Sequence, residues 1–272
     1  MDIIANGIRL RYIESGRGHP VVCIPGNGLS TGMWRHLIPE LSHRYRVISY
    51  ELRGMGNSEA PGRRGVTYTN EDHAKDLEAL LDVLNIRQAA IVAHAFGGFV
   101  AMRVAIDRPE RVASMVLVNT SAKMESSTAS EFHRWVTTSE TQGMDPLLDG
   151  AMVRWFVERV HREHPEVIQF YREMLHGNPP MGYAANSRGI AQLDLRDELR
   201  TIRCPTLVVA GKEDWSTPPE EHELIAARVP GAQLAVVPST SHTVPEEASE
   251  EFNRMTLEFL DQNTPRSLLR SQ

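Results

Sequence analysis

Ala90-Ile91-Val92-Ala93-His94-Ala95-Phe96-Gly97-Gly98 is the stretch from which the rest of the chain can be read. Ala90 to Ala93 form an apolar run that ends in small residues, and an amphipathic pattern follows from Phe99 to Arg108. The apolar run reads as a buried strand and the amphipathic run as a helix. A strand that turns sharply into a helix is the layout of the nucleophile elbow, G-x-S-x-G, which holds a serine on a strained turn. Ala93 and Gly97 take the outer positions of that pattern, and Ala95 stands where the serine belongs. The housing of a nucleophile is present without the nucleophilic atom.

Upstream, residues 2–5 and 8–14 read as two strands around Asn6-Gly7, a hairpin signal. Val21-Val22-Cys23-Ile24 and Val47-Ile48-Ser49-Tyr50 are short apolar runs of the kind that fill strands buried on both faces. A helix is expected over 31–41. Asn70 is placed to cap another that runs to Leu84, with Leu77, Leu80, Leu81 and Leu84 on one face. Downstream, Val112–Val118, 206–210 and Gln233–Val237 read as strands, and 218–228 and 246–260 as helices. Repeated alternation predicts an α/β fold with a mostly parallel, doubly wound sheet.

The alternation stops between residues 121 and 203. Helical patterns near 127–140, 146–160, 165–176 and 181–192 are broken at Gly143, Pro165 and Pro179-Pro180. A crossover needs only about a dozen residues. The surplus is read as a helical cap over a site rather than an independent domain, because alternation resumes directly after it. The expected organisation is a core of residues 1–120 and 204–263, a cap (lid) of 121–203 and a flexible tail of 264–272.

The totals set limits on function. A chain of 272 residues has room for one large α/β domain with its insertion. A net charge of −6 with no basic block argues against nucleic-acid binding. No apolar run approaches the roughly 18 residues of a membrane helix. The start, Met1-Asp2-Ile3-Ile4-Ala5-Asn6-Gly7, lacks the basic beginning and apolar middle of a leader, so a cytoplasmic location is expected. Cys23 and Cys204 each sit beside an expected core strand and read as reduced packing residues.

Two later loops carry the groups that a nucleophile at position 95 would need. Gly211-Lys212-Glu213-Asp214-Trp215 follows the strand at 206–210, and Pro238-Ser239-Thr240-Ser241-His242 follows the strand at 233–237. Both lie at the carboxyl ends of strands, where open α/β sheets gather reactive groups. A histidine titrating near neutrality takes the nucleophile's proton and later returns it to the leaving group. A carboxylate on its other nitrogen fixes the tautomer and stabilises the imidazolium. Singly, His242 reads as a surface histidine and Asp214 as a solvated acid, with Glu213 as its rival. The order elbow, acid, histidine makes them a candidate pair. Pro25-Gly26-Asn27-Gly28 ends the first core strand and lacks the Walker spacing of a phosphate loop.

Together with Glu51-Leu52-Arg53-Gly54-Met55-Gly56-Asn57-Ser58, these pieces resemble the α/β-hydrolase fold along the whole chain. A narrower resemblance, to the 3-oxoadipate enol-lactonase group, rests on Val153-Arg154-Trp155-Phe156, His164-Pro165-Glu166-Val167 and Tyr171-Arg172-Glu173-Met174-Leu175. It continues through Gly182-Tyr183-Ala184, Asp194-Leu195-Arg196-Asp197-Glu198-Leu199 and Ile202-Arg203-Cys204-Pro205-Thr206-Leu207-Val208-Val209-Ala210-Gly211. The resemblance implies a serine-type hydrolase of a lactone or small carboxylic ester that needs no cofactor. It implies a nucleophile at the Ala95 position, His242 as base, Asp214 as the acid, and an oxyanion hole from the N–H groups of Asn27 and Phe96. Some members take their acid from the strand after the elbow helix; the uncharged Asn119 stands there.

The chain departs from the family at Pro25, where many relatives have histidine, and at Glu51, where aspartate is usual. It also departs at Ser241, where glycine is common, and at Ala93. Ala95 is the departure that matters, and the chain as written is expected to be nearly inert. The intact acid and histidine favour an engineered Ser→Ala exchange over a natural loss. Thioesterase, carbon–carbon bond hydrolase and cofactor-free dioxygenase chemistry are alternatives on the same fold, and a ligand-binding pseudo-hydrolase is the non-enzymatic one. Epoxide hydrolysis and dehalogenation need an aspartate at the elbow.

For the pocket, Trp34, Trp135, Trp155, Trp215 and Met124, with Met144, Met152 and Met174, are candidates for an apolar lining under the cap. A substrate bearing a carboxylate calls for a cap arginine, and Arg134, Arg154 and Arg188 are the candidates. His94 is expected to pack or hydrogen-bond locally. His161 and His164 have i,i+3 spacing, but Pro165 interrupts and no third ligand is near, so no metal site is expected. The expected partner is a small-molecule lactone or ester, taken by a monomer or homodimer.

Overall fold

The Asn6-Gly7 turn, with φ of 50° and 75°, joins β1 (Asp2–Ala5) to β2 (Ile8–Ser15) as an antiparallel sheet edge. This is a computed structural model, and it describes residues 1–60, 62–124 and 126–264. β3 (His19–Ile24), α1 (Leu37–Ser42), β4 (Tyr45–Tyr50), α2 (Asn70–Val83), β5 (Ala89–His94), α3 (Phe96–Asp107) and β6 (Val112–Val118) continue the alternation. The insertion holds α4 (Ser126–Gln142), α5 (Leu148–Trp155), α6 (Glu158–Glu163), α7 (Pro165–His176) and α8 (Pro180–Ile190). β7 (Thr206–Gly211), α9 (Pro219–Arg228), β8 (Gln233–Val237), α10 (Val244–Glu247) and α11 (Ser249–Asn263) complete the chain.

Among the described residues the strands form one sheet in the order β1-β2-β4-β3-β5-β6-β7-β8, parallel from β4 to β8. Every residue of β5 and β7 is buried, as strands covered on both faces require. The insertion is closed at its base by Lys123 bridging to Asp194. No helix among the described residues is long and apolar enough to cross a membrane.

Strand order fixes where the site lies. From β3 the chain moves to β4 on one side, and from β5 to β6 on the other, while β3 and β5 pair through Cys23 and Val92. Connections leaving in opposite directions open a crevice at the carboxyl ends of β3 and β5. The approach there is close. A Cβ on Gly26 would stand 2.8 Å from His94 Nδ1 and 3.1 Å from Ala95 Cβ. A Cβ on Gly97 would stand 2.6 Å from the carbonyl oxygen of Ile24.

Several helices differ from the sequence reading, each for a local reason. Thr69, not Asn70, caps α2. The Thr69 side chain accepts from Asp72 N at 3.2 Å and its own N–H donates to the Asp72 carboxylate at 2.9 Å, a reciprocal box. Asn70 lies inside the helix and donates to Phe99 O. The helix expected over 31–41 begins only at Leu37, because Pro39 is tolerated in a first turn; Thr31–Trp34 makes a separate 3₁₀ turn capped by Ser30. The pattern at 146–160 divides at Phe156 and Val157, both extended. The closing helix breaks at Ala248. The elbow helix starts at Phe96, three residues before its amphipathic pattern. Of the expected tail, residues 265–272 lie outside the described residues.

Gly97→Ala should destabilise the fold by about 1–3 kcal/mol, because the added methyl must push α3 away from β3. Urea unfolding of the variant checks this, and an unchanged midpoint would show that the elbow can relax.

Candidate active site

Ala95 caps α3 with φ 46° and ψ −116°, a conformation that costs a residue with a Cβ on the order of 1–3 kcal/mol. Its surroundings impose it. Ala95 N donates to Val118 O at 3.1 Å, and Ala95 O accepts from Gly98 N at 2.9 Å and from the Thr120 hydroxyl at 2.7 Å. Phe96 is the first residue of α3, so its N–H has no carbonyl one turn back to bond. Phe96 itself lies against the cavity, and a helix start is the kind of place that suits an anion.

Across the crevice, His242 Nδ1 and Asp214 Oδ2 are 2.8 Å apart, both residues buried. The same carboxylate accepts from Asn119 Nδ2, the Thr217 hydroxyl, and the N–H groups of Ser216 and Thr217, at 2.7–3.1 Å. Burial opposes the charge. The His242 imidazole and the bonds from His242 and Thr217 outweigh it and hold the Asp214 carboxyl below the usual carboxylate range. With Nδ1 engaged, Nε2 is the ring nitrogen left for chemistry. Glu213, the rival acid, is exposed. Asn119 stands at the alternative acid position and instead ties Asp214 to the carbonyl of Ser241 at 3.0 Å.

His94 is a local partner, as the sequence suggested. Its Nε2 donates to His242 O at 2.8 Å, and burial, aided by His242, lowers it to about 3, so it stays neutral. His222, which the sequence reading passed over, sits behind Asp214; burial lowers it to about 4, and its Nε2 accepts from Thr120 N.

Ala95, Phe96, Asn27 and His242 line one cavity of about 520 Å³, roofed by the insertion. Met124, Trp135, Arg154, Trp155 and Trp215 line it, and Arg134 stands at its rim. Trp34 does not. It is fully buried and stacks on Phe252, because its 3₁₀ turn faces the closing helix. Arg188 does not either; it pairs with Glu140 and donates to Val66 O on the far side of α8. Met144 and Met152 are core, and the Met174 sulfur accepts from Ser30 N. Asn27 donates to the Ser187 hydroxyl at 3.1 Å, tying the loop after β3 to the insertion. Phe132, Tyr183 and Glu131 also line the cavity, and nothing in their spacing separated them from other helical positions.

The insertion is bolted to the histidine loop. Glu247 accepts from Val157 N at 2.9 Å and Ser241 N at 2.7 Å, while Thr243 donates to Trp155 O and Ser241 to Arg154 O. Burial raises the Glu247 carboxyl, and these N–H donors partly offset the rise. Ser241, at a position where a side chain departs from the family pattern, uses its hydroxyl for this link.

A sequence model of the alpha/beta hydrolase fold matches residues 19–249. The chain is 29% identical over 256 residues to 3-oxoadipate enol-lactonase 2 of Acinetobacter baylyi, covering 92% of each. The crystal structure of an enol-lactonase from Burkholderia xenovorans superimposes with a TM-score of 0.92 at 29% identity, covering 96% of this chain and 100% of that one. A thermophilic esterase from Thermogutta terrifontis gives 0.91 at 32% identity, covering 97% and 99%.

Because Asp214 is held more acidic when folded than when unfolded, its contribution is present above the unfolded value and disappears as pH falls through the folded one. Asp214→Asn should therefore cost on the order of 1–3 kcal/mol near pH 6, and progressively less below about pH 4. Urea titrations across that range test it; a gap that ignores pH would assign the loss to geometry rather than charge.

Proposed function

The chain belongs to the α/β-hydrolase fold family, and from that premise we propose a machinery for hydrolysing a lactone or small carboxylic ester, with the nucleophile replaced by Ala95. The observation that carries this reading is the Asp214–His242 pair, sharing a cavity with a strained elbow residue. With serine at position 95, its oxygen attacks the carbonyl as His242 Nε2 removes the proton and Asp214 steadies the imidazolium. The N–H groups of Asn27 and Phe96 receive the developing oxyanion. Collapse expels the alkoxide or enolate, which takes the proton back from His242. Water activated by the same histidine then releases the acyl group. In a lactone both halves remain one molecule, so the ring opens to a hydroxy or oxo acid. No step calls for a cofactor, and residues 121–203 act as the cap that excludes bulk water.

With alanine at position 95 the first step has no nucleophile, and the chain binds the ester intact. The acid, base and elbow all serve turnover, which favours a serine-to-alanine exchange in a working enzyme. The second reading, a small-ligand-binding protein of the same fold, is favoured by Ala95 alone. The Ala95→Ser variant separates them. It should gain on the order of a millionfold in kcat on a panel of enol-lactones and aryl esters. It should also take up a fluorophosphonate probe, read as a mass increment. A variant inert on every ester, in a protein that binds a small ligand tightly, would establish the binding reading instead.

A further inference from the structure

The cavity holds one buried guanidinium, and that group is already engaged. The Arg154 side chain is 10% exposed and ion-paired with Glu131 of α4. Its guanidinium carbon lies 4.5 Å from the ring centroid of Trp215 and 5.1 Å from that of Trp135. An arginine over two indole faces and ion-paired through Nη2 with a carboxylate already has a counter-charge before any ligand arrives. Arg134 also reaches Glu131, at 3.7 Å, but is 76% exposed, so water and salt screen it at the rim. Arg188 points elsewhere.

A substrate carboxylate would have to displace Glu131 from Arg154. Glu131, 32% exposed, would then stand as a like charge beside the newcomer, both partly desolvated. An alternative is rejected in this way when the site itself carries the repelling group. The remaining wall, with Phe132, Trp155 and Tyr183, offers apolar and aromatic surface. We propose that the cavity selects an uncharged acyl or lactone group, and that Glu131 is the specificity residue that turns carboxylate-bearing substrates away. This rests on the hydrolase reading for the word substrate, but its test reads binding alone.

Methyl benzoate and monomethyl terephthalate differ by a single ring carboxylate. Each is titrated into the unaltered protein, which should hold the ester intact, and read by calorimetry and by quenching of the cavity indoles. The neutral ester should bind at least about tenfold more tightly. Glu131→Gln removes the competing charge at almost constant shape, so it should shift the ratio toward the carboxylated ester by about tenfold or more. Adding Arg154→Met to that variant should abolish the shift. Equal or tighter binding of the carboxylated ester by the unaltered protein overturns the proposal, as does failure of both esters to bind. A folded Glu131→Gln variant with an unchanged ratio overturns it too. Should that variant not fold, the ratio in the unaltered protein decides by itself. The two readings fail separately: an inert Ala95→Ser variant with the preference intact removes the hydrolase and leaves the selectivity. An active one that favours the carboxylated ester does the reverse.

Discussion

The contact between the end of β3 and the start of α3 leaves no space for a side chain at Gly26 or Gly97, and everything chemical in the molecule is placed by it. Because β3 and β5 are adjacent while their connections run to opposite sides, the loop carrying Asn27 and the turn carrying Ala95 must share one crevice. The first residue of α3, Phe96, then lines the cavity at that crevice. Three further parallel strands, β6, β7 and β8, add one group each. β7 ends at the loop bearing Asp214, β8 at the loop bearing His242, and β6 at Asn119, which links the two.

Three buried or half-buried carboxylates around the site are accommodated differently, and the differences assign their work. Asp214 has an imidazole and converging donors, so it stays charged and can stabilise an imidazolium. Glu247 accepts backbone N–H groups, and burial still raises it; these bonds hold α10 to both the insertion and the histidine loop. Glu131 faces Arg154 within the cavity wall, where its charge bears on what may enter. Carboxylates of similar chemistry thus end in three different states, according to the partners that the fold supplies.

The parts legible in the sequence are those governed by local pattern or chain order. The strands at Val112–Val118 and Gln233–Val237 and the helix at Pro165–His176 were readable to the residue, because apolar runs and prolines bound them sharply. The elbow, Asp214 and His242 were readable because each follows a strand in a recognisable order. Trp34 and Arg188 were misplaced for a common reason: composition shows that a side chain is large or charged, but only packing shows which way it faces. Trp34 turns to Phe252 and Arg188 to Glu140, both distant in sequence. Glu247 carried no signal, being one acid among several in an amphipathic stretch. Its importance comes from two backbone N–H groups distant in sequence, that of Val157 just before α6 and that of Ser241 in the histidine loop.

Ala95 acquires its meaning from the costs that surround it. A residue with a Cβ at φ 46° is strained, and glycine would relieve that strain at once. A carboxylate as buried as Asp214 is a liability unless its partners are all kept. The neutral His94, wedged between Gly26 and the His242 backbone, ties that loop to the elbow. A protein that merely binds a ligand gains nothing from any of these, since affinity comes from the cavity wall rather than from a base aimed at an absent proton. Turnover needs all of them together, because strain at the elbow exposes the nucleophile and the buried acid sets the tautomer that receives its proton. The stored cost is what the proposed hydrolysis, with serine at position 95, would call for.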